Sequence, residues 1–164
     1  MHYFLLRNER KVAFRMPTID KEILINALPE KIFSYVSKPS NLPQIWPSLI
    51  EIKNEQLLPN GRYSFQWIYK MGGMHLEGTG VYAGIVQNQW FTAKTKGALD
   101  STITWTFLSK DTTQTRVTFT IDYCVPLPIL TWLAHVTIVK MNEQEAELIL
   151  ANLRTRFETG TEES

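Results

Sequence analysis

Aromatic and β-branched side chains recur at every second residue in three stretches. Tyr63, Phe65, Trp67 and Tyr69 do so in RYSFQWIYK, Ile103, Trp105 and Phe107 in STITWTF, and Val117, Phe119, Ile121 and Tyr123 in RVTFTIDYCV. Side chains two apart share one face of a strand, so each stretch presents a ring-rich apolar face. A face of this kind either packs as core or lines a space that takes up an apolar molecule, and core packing competes for every ring taken singly. Trp67, Tyr69, Trp105, Phe119 and Tyr123 are the candidates for contact with such a molecule. Polar groups able to orient it are few. His75 and Glu77 share a strand face, while His135 and Asn142 lie two turns apart on a helical stripe, with Met141 beside Asn142. An amide on an apolar stripe must find partners or lose stability on burial, which ranks Asn142 above either histidine. His75 is also explained as a hydrogen-bonded rim residue beside a turn, and His135 as a satisfied helix residue.

Other chemistries find less support. His75, Glu77 and His135 have the donor types for zinc, but no HExxH spacing fixes them together, so no metal is expected. GTGVYAG at 78–84 is GxGxxxG inside a strand pattern, not a glycine-rich loop opening a helix, and is read as a bend that lets a sheet curl. Nothing resembles GxSxG, and Cys124 has no basic neighbour in sequence to activate it.

The elements that must position these residues follow from periodicity and punctuation. IDKEILINAL alternates from Ile19 to Ala27 and predicts a strand. PEKIFSYVS starts with Pro29 and Glu30 and predicts a short helix burying Ile32, Phe33 and Val36. Ser40 to Pro43 supplies a cap and a first-turn proline for a second short helix, closed by Trp46 and Pro47. Turn residues at 58–61, 72–73, 88–89, 96–97 and 110–113 divide the next stretch into an antiparallel meander of about six strands. Beyond Pro128 one long helix is predicted to about Phe157, with Trp132, Val136, Val139, Asn142, Ala146, Leu150, Leu153 and Phe157 on one stripe. It is the only element long enough to cover the sheet.

The 164 residues suit one domain, and 17 Lys and Arg against 16 Asp and Glu give a net charge of +1, so nucleic acid is not an expected partner. One cysteine excludes an internal disulfide, no apolar run is long enough to span a bilayer, and MHYFLLRNER lacks the features of a secretory signal. A cytoplasmic protein is expected, with transient membrane contact left open. Residues 1–15 read as a basic extension, a frayed or loosely docked arm; residues 16–158 read as the domain, and 159–164 as an acidic flexible tail.

The order of elements, with INALPEKIFSYVSKPSNLPQIWPSLIEI at 25–52, TRVTFTIDYCVPLPIL at 115–130 and EAELILANLRTRFE at 145–158, resembles the START-like (SRPBCC) superfamily, the polyketide cyclase/dehydrase and lipid transport group with a Bet v 1-like helix-grip fold. The resemblance implies an α+β fold, a curved antiparallel sheet of about seven strands wrapped around a long C-terminal helix, with a cavity between them. It implies binding, transport or sequestration of a small hydrophobic ligand such as a lipid, isoprenoid, quinone or polyketide, with no cofactor. Entry is expected between the start of the long helix, near 125–130, and the turn at Gly72 and Gly73. An enzyme of the cyclase/dehydratase kind, using a cavity Tyr, His75 or Glu77 as acid or base, is the alternative, and a chaperone-like interaction module with a filled interior a third.

Overall fold

The computed structural model describes residues 5–8, 11–132 and 135–159. Nine strands form one antiparallel sheet: β1 (Leu5–Asn8), β2 (Lys11–Arg15), β3 (Ile19–Ile25), β4 (Leu49–Leu57), β5 (Tyr63–Met71), β6 (Met74–Val86), β7 (Trp90–Gly97), β8 (Asp100–Ser109) and β9 (Thr115–Pro126). The order runs β1-β2-β9-β8-β7-β6-β5-β4, and β3 also pairs with β9. Helix α1 (Pro29–Val36) and a 3-10 helix (Pro39–Gln44) connect β3 to β4, and α2 (Leu127–Trp132) and α3 (His135–Glu158) close the chain. This is the α+β helix-grip arrangement, with the expected seven strands as β3 to β9.

Three features differ from the expectation. Residues 11–15 are not a loose arm: β2 pairs with the end of β9 through Ala13, Phe14 and Arg15, and β1 pairs back on β2. Strand β9 is longer than β3, so its edge beyond Ile121 would carry unpaired backbone groups, and β2 takes them up. A separate short helix, α2, precedes the long one and packs on β2 and β9, a surface that the added hairpin widens. The 3-10 helix begins at Pro39, so Ser40 lies inside it and does not cap it; the Ser40 amide donates to the Glu55 carboxylate at 2.8 Å.

The meander is built as its turns dictate. Gly72 and Gly73 both have positive φ (55° and 84°), the requirement of the two-residue turn whose twist matches a hairpin, and Met71 pairs with Met74 across it. In β6, Leu76, Gly78, Gly80 and Tyr82 face inward. A Cβ on Gly80 would lie 2.3 Å from Cζ of Phe65, and one on Gly78 would lie 2.3 Å from Cζ2 of Trp67. The missing side chains leave room for two rings on the neighbouring strand, so Gly78 and Gly80 are packing glycines, while the pairing with β7 shifts register between Tyr82 and Gly84, inside the stretch read as a bend.

The interior divides into two halves. Under α1 rings pack on one another: Phe33 meets Phe91 and Phe107 edge-on at 6.1 and 5.5 Å, and Tyr82 stacks on Phe91 at 4.9 Å while its hydroxyl donates to the Ser37 carbonyl at 2.6 Å. Under α3, Ile138, Ala146, Ile149, Leu150 and Leu153 are buried against the sheet. Between this helix and the strands that end near Gly72 the packing opens.

Candidate functional site

That opening is a cavity of about 100 Å³. A void of this size holds a few waters or a small ring, and its walls are apolar with few polar groups, as those of small-molecule sites are. The sheet contributes Trp67, Tyr69, Trp105, Phe119 and Tyr123, and the helix contributes Asn142. Strand alternation turns these rings to the concave face. Trp105 and Phe119 are 1% exposed, on paired strands, with ring centroids 4.8 Å apart.

The sheet and helix also bring three residues that the sequence reading did not single out. Trp46 stands edge-on to Tyr69 at 6.2 Å and to Phe119 at 5.5 Å. Glu145 projects from α3 and holds Ser48, accepting from its amide at 2.9 Å and its hydroxyl at 2.5 Å. This pairing ties the segment before β4 to the long helix. A signal for Glu145 was present, since it lies three residues after Asn142 and so on the same helix face. Trp46 had no such signal, because it lies in an irregular segment whose direction only the fold sets.

The polar groups gather at one place on the wall. Asn142 Nδ2 donates to the Tyr123 hydroxyl at 3.0 Å, the partner its burial requires. Burial, then the Glu145 charge, then Tyr123 push the Tyr69 hydroxyl well above the ordinary tyrosine range, while the nearby Trp46 and Ser48 donors act in the opposite sense. Burial is also the main cause raising Tyr123, with Asn142 opposing it and Glu143 adding to it. Both phenols therefore stay protonated and serve as hydrogen-bond donors and acceptors. The Trp67 ring nitrogen is already used, donating to the Thr79 carbonyl at 3.0 Å, so Trp67 presents apolar surface alone. Trp46 Nε1 is buried near the Tyr69 hydroxyl, but among the described residues no acceptor meets it in hydrogen-bond geometry.

Three candidates do not join this group. His75 is exposed on the outer face of β6, opposite Lys70, because Leu76 and Tyr82 take the inward parity of the strand. Glu77 is outward with it. Met141 is 42% exposed, because it precedes Asn142 by one residue and so points about 100° away around the helix. His135 begins α3, but its side chain lies outside the described residues. Among the described residues no three His, Cys, Asp or Glu side chains are grouped to hold a metal ion. Cys124 does have a basic neighbour, Arg15 of β2, across the pairing, yet burial and the Asp100 charge dominate and push its thiol pKa up.

Residues 16–158 match the family described as polyketide cyclase / dehydrase and lipid transport. Among solved structures, a START superfamily protein from Mycobacterium smegmatis superposes with TM-score 0.73 at 16% identity, covering 87% of this chain and 97% of that one. A protein from Thermus thermophilus gives TM-score 0.69 at 21% identity, over 88% of this chain and 99% of its own. The Zhui aromatase/cyclase from a Streptomyces species gives 0.66 at 10% identity, over 85% and 94%. These likenesses concern the fold. No curated protein matches the sequence.

Proposed function

The chain belongs to the polyketide cyclase/dehydrase and lipid transport family, and from that membership and the shape of its interior we propose that it binds a small hydrophobic molecule, of lipid, isoprenoid, quinone or polyketide type, between the sheet and α3. The observation that carries this reading is the cavity itself, walled by apolar rings with one cluster of polar groups. A protein with no use for the space would gain stability by filling it, because lining atoms facing a void lack packing partners. Burial of ligand surface at roughly 25 cal/mol per Å² supplies affinity, and Tyr69, Tyr123 and Asn142 orient the polar end. Of the ligand-contact candidates, Trp67, Trp105 and Phe119 supply the apolar walls. Met71, next to the Gly72–Gly73 turn, and Leu99 and Ser101, at the turn between β7 and β8, line the cavity, which supports entry on that side.

Native mass spectrometry of the purified protein beside its denatured extract tests the reading. A discrete apolar mass released on denaturation is the expected result; an empty protein that also refuses a fluorescent fatty acid and a quinone analogue overturns it. A second reading, an enzyme of the cyclase/dehydratase kind, draws support from the Glu145 carboxylate and the Tyr69 hydroxyl facing one apolar space. It would use Glu145 in place of His75 and Glu77, which are turned outward.

A further inference from the structure

The polar cluster restricts the head group of the molecule. Glu145 is the charged residue of the cavity wall, and no Lys, Arg or His stands among the described residues that line it. An anionic head brought into this space would meet a like charge with no counter-ion among the described residues of the wall, on a surface that is otherwise apolar. Both Glu145 oxygens are already held by Ser48, so the side chain is fixed in place and does not swing out to solvent.

The hydrogen-bond inventory points the same way. The Tyr123 oxygen accepts from Asn142, which leaves its own O–H free to donate. Trp46 Nε1, which can only donate, is buried with the Tyr69 oxygen near it, but no acceptor among the described residues meets it in hydrogen-bond geometry. The wall thus holds unspent donors beside a carboxylate. A neutral oxygen satisfies the donors without meeting the charge.

On the cavity reading above, we infer that the site selects apolar molecules with a neutral oxygen head, carbonyl or hydroxyl, and rejects the same skeleton with a carboxylate head. Glu145 is the residue that imposes the discrimination, and Tyr123 and Trp46 supply the donors that the neutral oxygen accepts from.

Equilibrium dialysis of the full chain with methyl naphthyl ketone and with naphthoate, which share ring and shape but differ in charge, tests this. The expected result is at least tenfold tighter binding of the ketone by the native protein, with the gap closing in Glu145→Gln because naphthoate affinity rises. Equal or tighter binding of naphthoate by the native protein overturns the charge selection and leaves the cavity reading standing. A gap unchanged in a folded Glu145→Gln variant overturns the assignment to Glu145. Binding of neither probe by a protein that takes up the fluorescent fatty acid or the quinone analogue overturns this inference and leaves the cavity reading standing; refusal of all four removes both. The native ratio decides the selection whether or not the variant folds, and loss of ketone binding in Ala93→Ile, at the cavity wall, places the probe inside.

Discussion

At the scale of single residues, Asn142 and the two cavity tyrosines carry the most consequence. Replacing Asn142 with Ala leaves the Tyr123 hydroxyl without its donor. The expected loss is about 1 kcal/mol in chemical denaturation, the net worth of one such bond, together with weaker retention of a bound molecule. The tyrosines make stability depend on alkaline pH. A phenol raised above its ordinary value of 10.0 holds its proton in the folded state after the unfolded chain has released it. Its contribution is therefore full below pH 10 and declines as pH rises from there toward the folded value. Denaturant titrations from neutral pH upward are expected to show stability falling beyond pH 10, with a shallower fall in Tyr69→Phe; an equal slope in both proteins would show that Tyr69 is not the group responsible. Trp67, Trp105 and Phe119 were legible as inward rings because alternation over long strands sets their direction. His75 lies on the outer face because its parity is set by Leu76 and Tyr82 on the same strand, which fits the rim position beside the turn.

At the scale of elements, β6 decides how the sheet accommodates its rings. A methyl group on Gly80 would collide with the Phe65 ring, so Gly80→Ala is expected to cost about 1–3 kcal/mol through overpacking. Adding Phe65→Leu should recover part of that loss, as thermal denaturation of the single and double variants would show. The N-terminal hairpin belongs to this scale as well. Its basic residues suggested a loose arm, whereas pairing with β9 is a long-range contact that local composition does not encode. The edge strand β4, at the other end of the sheet, carries Glu51, Lys53 and Glu55 and shifts register twice, features that discourage pairing with a second sheet.

At the scale of the whole molecule the cavity is a property of two layers that meet closely at one end and part at the other. Ala93→Ile adds bulk to the cavity wall. It is expected to leave the melting temperature equal or higher, since filling a void commonly contributes about 0.5–2 kcal/mol, while removing ligand binding; a loss of stability with binding retained would mean that the void is not the binding site. A bound molecule should in turn raise the melting temperature with its concentration. The sequence by itself determined the layer order, the meander, the ring-bearing face and the long covering helix, because period two, period 3.6 and turn residues are local signals that each segment carries alone. Only the tertiary structure decided that Trp46, Ser48 and Glu145 join Tyr69, Tyr123 and Asn142, that His75 and Met141 stay outside, and that a space is left between the sheet and α3. Those outcomes depend on how irregular segments turn and how far apart two layers settle, and both are set by contacts between residues remote in the chain.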